Sequence, residues 1–136
     1  MIVFTKRLVD ELLAHADRES PHEACGVMVG AMEDEAREVA IVYECTNVDP
    51  DPDVGYEINP MELLRVMEDA EGKGLEIIGF YHSHPMALSR PSMVDESKAT
   101  WTGHSYAIVS PKSTPVITSW IWNEGEGFVE EEVVVE

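Results

Sequence analysis

Two histidines stand two residues apart in the segment His82-Ser83-His84-Pro85, and Asp95 follows eleven residues after the second. Successive side chains of a strand alternate between faces, so residues i and i+2 point the same way. If the apolar stretch Leu75 to Ser83 is a strand, His82 and His84 project together from its end, where a loop leaves room for a ligand. That loop, Met86 to Ser92, contains Pro91, which can fix its return path. Two imidazoles and one carboxylate suit zinc, which in catalytic sites keeps three protein ligands and one open position for water. His-x-His alone is a weak signal; the strand-end position, the proline and the aspartate strengthen it. Taken singly, Asp95 reads as a first-turn helix carboxylate favoured by the helix dipole, and Ser92 as a helix cap. His15 on the first helix and His104 at a strand start read as surface residues, and nothing forces His22 into a ligand role.

The elements that must position these groups follow from pattern. Residues 5–18 have Thr5 as N-cap and an apolar stripe at Leu8, Leu12, Leu13 and Ala16, which predicts an amphipathic helix ended by Ser20-Pro21. Two apolar runs, Cys25 to Met32 and Val39 to Cys45, flank the acidic turn Glu33-Asp34-Glu35 and predict a β-hairpin. This hairpin sets Cys25 roughly opposite Cys45, as two buried thiols or, alternatively, a redox-sensitive pair. Asp49 to Gly55 is a loop by turn chemistry. Its prolines, and the lack of a loop-closing bidentate glutamate, argue for a solvated acidic loop rather than a calcium site. Pro60 to Gly72 predicts a second helix with Leu63, Leu64 and Met67 on its inner face and Met61 and Met67 as core filler. Beyond the central strand come a short helix from Val94 to Trp101, capped by Ser92, and strands near 104–110, 115–122 and 128–135. The last carries Glu130-Glu131-Glu132 beside three valines, which fits a sheet edge. The expectation is one α/β domain over residues 1–136, a mixed sheet with about three helices.

Composition narrows the function. Twenty-seven acidic residues against nine Lys plus Arg give a net charge of −18, and only four residues are lysine. Such a surface repels phosphate, so neither nucleic acid nor an anionic membrane is an expected partner. The acidity fits either a surface for a basic partner or adaptation to molar salt, where ions screen self-repulsion. Low lysine with acid spread along the chain favours the second. Two cysteines are too few for a disulfide scaffold, the N-terminus meets charge too soon for a signal peptide, and no apolar run approaches the ~18 residues of a membrane span, so a cytoplasmic protein is expected. There is no His-Glu-x-x-His, no Pro-Cys-x-x-Cys and no Gly-x-Ser-x-Gly.

Glu23 in Pro21-His22-Glu23-Ala24-Cys25-Gly26, then His82-Ser83-His84-Pro85, six residues, Ser92, two residues and Asp95, resembles the JAMM (MPN+) metalloprotease motif. Every motif position holds the expected residue type, and the resemblance spans nearly the whole chain. It implies a JAMM/MPN-like curved mixed sheet in which His82, His84 and Asp95 ligate one catalytic zinc. Glu23 would be the general acid/base, and Ser92 would steady the oxyanion. It also implies cleavage of the isopeptide bond between the C-terminus of a ubiquitin-like small archaeal modifier and a target lysine. The alternative is trimming of a ubiquitin-like sulfur carrier, for example removal of a C-terminal cysteine. Residues 48–58 would border the groove for the modifier tail. A non-catalytic MPN scaffold is disfavoured, because inactive relatives usually lose motif residues and here all five stand. Cys25 lies two residues from Glu23, so its oxidation would perturb activity.

Overall fold

The computed structural model describes residues 1–33 and 35–136, so the predicted turn at Asp34 lies outside the described residues. Its elements are β1 (Ile2–Phe4), α1 (Lys6–Glu19), β2 (Cys25–Glu33), β3 (Ala36–Cys45), α2 (Pro60–Gly72), β4 (Glu76–Ser83), α3 (Met93–Lys98), β5 (Ser105–Val109), β6 (Ile117–Asn123), β7 (Gly127–Glu131) and β8 (Val133–Val135). They form a mixed eight-stranded sheet in the order β7-β6-β5-β4-β2-β3-β1-β8. The expected single last strand is two strands. β7 pairs with β6 and β8 with β1, so consecutive strands occupy the two edges and the sheet curls until it nearly closes. The pairing of β1 with β3 and β8 was not anticipated, because three residues are too few to show a period.

Thr5 caps α1 as expected, accepting the Leu8 backbone N–H. Leu8, Val9, Leu12 and Ala16 of α1 fill one face of the sheet with Ile2, Phe4, Met28, Ile78 and Tyr81. The opposite face carries Cys25, Val27, Val29 and Phe80 beneath Val66 and Ala70 of α2. β2 and β4 are therefore covered on both sides, which explains their nearly continuous apolar runs. Gly79 lets β4 lie close against the parallel β5: a Cβ there would lie 1.7 Å from the Ser105 carbonyl oxygen. That pairing holds the end of β4, and hence His82, in place.

Three local expectations are corrected. α2 packs through Leu63, Val66 and Ala70, an i, i+3, i+7 stripe that lets the helix approach closely over a small residue. Leu64, Met67 and Met61 instead lie in solvent, at 45%, 43% and 58% exposure. The helix after Ser92 stops at Lys98, so Trp101 is not helical and packs edge-on against Phe80. His15 is buried rather than on the surface, and its Nδ1 shares a 2.8 Å hydrogen bond with the Tyr81 hydroxyl. Burial lowers the pKa of His15, against the nearby Glu44 carboxylate that raises it. Tyr81→Phe strands that buried imidazole nitrogen and is expected to cost about 1–3 kcal/mol, read from urea unfolding.

Cys25 and Cys45 do face one another across β2 and β3, as free buried thiols. Burial pushes both up, Cys45 to about 11, so neither is a reactive thiolate near neutral pH.

Candidate metal centre

β4 delivers His82 on the α2 side of the sheet, and His84 follows one residue beyond the strand. The two Nε2 atoms lie 3.1 Å apart, and Asp95 Oδ2 lies 3.1 Å from the first and 3.2 Å from the second. Glu23, just before β2, joins them: one ligand atom from each of Glu23, His82, His84 and Asp95 falls within a 4.8 Å span, and all four residues are buried. A tetrahedral ion with metal–nitrogen bonds of about 2.0–2.1 Å sets its ligand atoms a little over ~3 Å apart, which the triangle of His82, His84 and Asp95 matches.

The protonation pattern fits a cation as well. His84 Nδ1 donates to the Leu88 carbonyl at 2.8 Å, which leaves the Nε2 lone pair aimed inward. Asp95 Oδ2 accepts the Ser92 backbone N–H at 2.8 Å, and Asp95 N–H donates to Ser92 Oγ at 3.0 Å. This capping box opens α3 and aims the carboxylate at the histidines. Burial works against the Asp95 anion, but hydrogen bonds from His82 and His84 outweigh it and hold its carboxyl far below the usual range. Burial lowers the pKa of His82, whereas for His84 the Asp95 and Leu88 hydrogen bonds overcome burial and raise it. Burial also pushes Glu23 up to about 8, with His84 opposing and Asp95 and Asp49 reinforcing the shift. Glu23 Oε1 is buried with no hydrogen-bond partner among the described residues. His82 Nδ1 is likewise unpartnered among the described residues. Four electron-rich groups crowding one point, with the Glu23 carboxylate oxygen unpaired, are what a divalent cation relieves.

Side chains that sequence reasoning passed over position the set. Asn47 Nδ2 donates to the carbonyls of Glu23 and Gly55 at 2.9 and 3.1 Å, and Glu23 N–H donates to Pro52 O at 2.7 Å. Ser83 Oγ accepts the Ala24 N–H at 2.7 Å, joining the start of β2 to the end of β4. The Tyr56 ring stacks on His82 with centroids 4.5 Å apart and planes 18° apart. Asp49, expected in a solvated loop, is instead nearly buried and paired with Lys98 of α3, while Asp53 pairs with His22. The 47–56 segment is therefore a wall of the site. Turn chemistry rich in Asp and Pro was the one signal in the sequence, and it named the turn but not its neighbour. Glu23, His84 and Ser92 open onto a cleft of about 260 Å³ rimmed by Val54, Pro85 and Met86.

A buried histidine pair and two acids at the rim of a nearly closed mixed sheet form a group that could hold a metal ion, on a JAB-type fold. The chain matches the family of prokaryotic homologs of the JAB domain over residues 5–123, and it belongs to that family. It is 37% identical over 131 residues to the desampylase of Haloferax volcanii, covering 93% of this chain and 91% of that protein. It is 35% identical over 115 residues to the CysO-cysteine peptidase of Mycobacterium tuberculosis, covering 82% of this chain and 75% of that protein. A solution structure of a protein from Desulfitobacterium hafniense, 34% identical, superposes over 100% of this chain and 93% of that one with a TM-score of 0.90. The JAMM resemblance read from the motif is thereby borne out. No helix among the described residues is long and apolar enough to cross a membrane.

Proposed function

We propose that this protein is a zinc-dependent isopeptidase that hydrolyses the bond between the C-terminus of a ubiquitin-like modifier and a target lysine. The observation that carries the reading is the buried convergence of Glu23, His82, His84 and Asp95 beside an open cleft. The likeness to a desampylase over most of both chains supports the substrate class. His82, His84 and Asp95 hold the zinc, and Glu23 and Ser92 act on the substrate. Zinc, when bound, makes water nucleophilic near neutral pH and polarises the scissile carbonyl.

The chain's own groups then manage protons and charge. Glu23 as carboxylate takes a proton from the attacking water as the new C–O bond forms. It returns that proton to the lysine nitrogen as the C–N bond breaks, so the amine leaves neutral. Ser92 Oγ accepts from Asp95 N–H, which leaves the hydroxyl proton free to donate to the developing oxyanion. Donors of this kind contribute about 2.7–4 kcal/mol in related acyl transfer. Burial of the two histidines and Asp95 keeps them oriented before substrate arrives.

The likeness to a CysO-cysteine peptidase favours one second reading, removal of a C-terminal cysteine from a sulfur carrier. The test incubates zinc-loaded protein with a modifier–lysine conjugate and with a carrier–cysteine adduct across a salt series. Faster cleavage of the conjugate supports the isopeptidase, faster cleavage of the adduct supports the carrier peptidase, and zinc-loaded protein inert to both supports a scaffold. The charge of −18 favours an archaeal cytoplasm at high salt, for which activity and melting temperature should rise together with salt.

A further inference from the structure

In a chain of net charge −18, positive side chains without partners are scarce. Five of the nine basic residues, Lys6, Arg7, Arg18, Lys73 and Lys98, pair with carboxylates. Arg37 bonds Ser105. Among the described residues Arg65, on α2, has no carboxylate partner, and neither do Arg90 and Lys112. Arg90 and Lys112 line one cleft of about 440 Å³, together with Trp120 and a single acid, Glu130. Both are exposed, and the described contact of Lys112 Nζ is Met86 Sδ at 3.6 Å.

This cleft is joined to the metal centre by the loop between His84 and Ser92. Its wall begins at Leu88, whose carbonyl accepts from His84, while Met86 rims the catalytic cleft next door. The loop is tied down: Ser89 Oγ donates to Pro115 O at 2.9 Å, Thr118 Oγ1 donates to Ser89 O at 2.7 Å, and Trp120 Nε1 donates to Thr118 Oγ1 at 3.0 Å. The two cations therefore sit on a built wall continuous with the site.

We infer that this cleft docks an acidic segment of the target protein beside the conjugated lysine. The inference rests on the isopeptidase reading above and adds to it a preference for the target. The argument is charge complementarity. An acidic target is repelled by nearly all of this surface, so the approach that sets its carboxylates over Arg90 and Lys112 is the one that is not repulsive. The groove on the other flank, lined by Tyr56, Ile58, Phe80, Trp101 and Tyr106, offers no such contact, because its cation Lys98 is already paired with Asp49. Glu130 at the cleft margin disfavours an acid placed there and so helps fix the register.

The test compares two conjugates of the same modifier, one on a lysine flanked by glutamates and one flanked by glutamines. The native protein should cleave the first with kcat/KM about tenfold higher, through KM, on the scale of two exposed charge pairs, and the preference should shrink as salt rises. Arg90→Gln with Lys112→Gln should bring the ratio to about one, and Arg90→Glu with Lys112→Glu should invert it. A misfolded variant cleaves neither conjugate and gives no ratio, so the ratio is read only from a double variant that still turns over, and the doubly neutral and doubly reversed proteins check each other. No preference in the native protein, or a preference that survives both double variants, overturns the inference. Failure of the native protein on both conjugates overturns the isopeptidase reading itself, and this inference with it.

Discussion

Glu23→Gln is expected to lower the rate of conjugate cleavage by a factor of about 10² to 10⁴, the range that a positioned general acid–base supplies, while zinc content stays at that of the native protein. The substitution is nearly isosteric and touches only the side chain. The contacts that hold this segment are made by its backbone, with Glu23 N–H on Pro52 O and Glu23 O on Asn47, so the fold should be undisturbed. What is lost is a group able to take a proton from water and return it to nitrogen. The pH dependence follows from the same carboxyl. Burial pushes it up to about 8, and its carboxylate form is the one that accepts a proton. Activity should therefore fall as pH falls through the carboxyl's pKa. A bound cation favours the carboxylate, so this acid limb should lie below 8 in the zinc-loaded protein. Metal analysis beside a pH–rate profile checks both points. Native-like turnover by Glu23→Gln would remove Glu23 from the chemistry.

His82→Ala should cost both metal and activity. Its Nε2 stands 3.1 Å from both His84 Nε2 and Asp95 Oδ2, and the residue is 2% exposed, so it is held at the centre of the ligand set. Removing it leaves His84 and Asp95 as the assigned ligands, with the Glu23 carboxylate beside them. Disturbing a group that merely orients a ligand typically costs ~10–100-fold in affinity, and deleting a ligand should exceed that. The expected result is sub-stoichiometric zinc after dialysis and cleavage at background. Zinc should raise the melting temperature of the native protein and leave that of His82→Ala unchanged, because binding to the folded state alone is what stabilises it. Stoichiometric zinc in the variant would show that the ion is held elsewhere. The contrast with Glu23→Gln separates a metal ligand from a proton carrier.

Local chemistry reached far into this site. Helix capping at Thr5 and Ser92, the two-residue strand period that pairs His82 with His84, and the facing cysteines were legible because each depends on residues close in sequence or on one hairpin. Misreadings occurred where a helix face had to be chosen. His15 and Met67 both lie on amphipathic helices, but the rotation of each helix is decided by the sheet it meets. Tyr81 took His15 inward, and the small Ala70 turned Met67 out.

The residue types and spacings thus determined which groups could do chemistry, and that two imidazoles would share a strand end. Only the tertiary structure decided that they meet Glu23 and Asp95. The four lie on three separate stretches of chain, joined through the β2–β4 pairing, the Ser92–Asp95 capping box and the Asn47 bridge. Burial, which raises the proton affinity of Glu23 and makes an unpartnered carboxylate oxygen costly, is a property of everything packed around a group. The same holds for Arg90 and Lys112. Their charge is plain in the sequence, but their lack of partners and their shared cleft come from long-range contacts, where loop, strand and sheet closure converge.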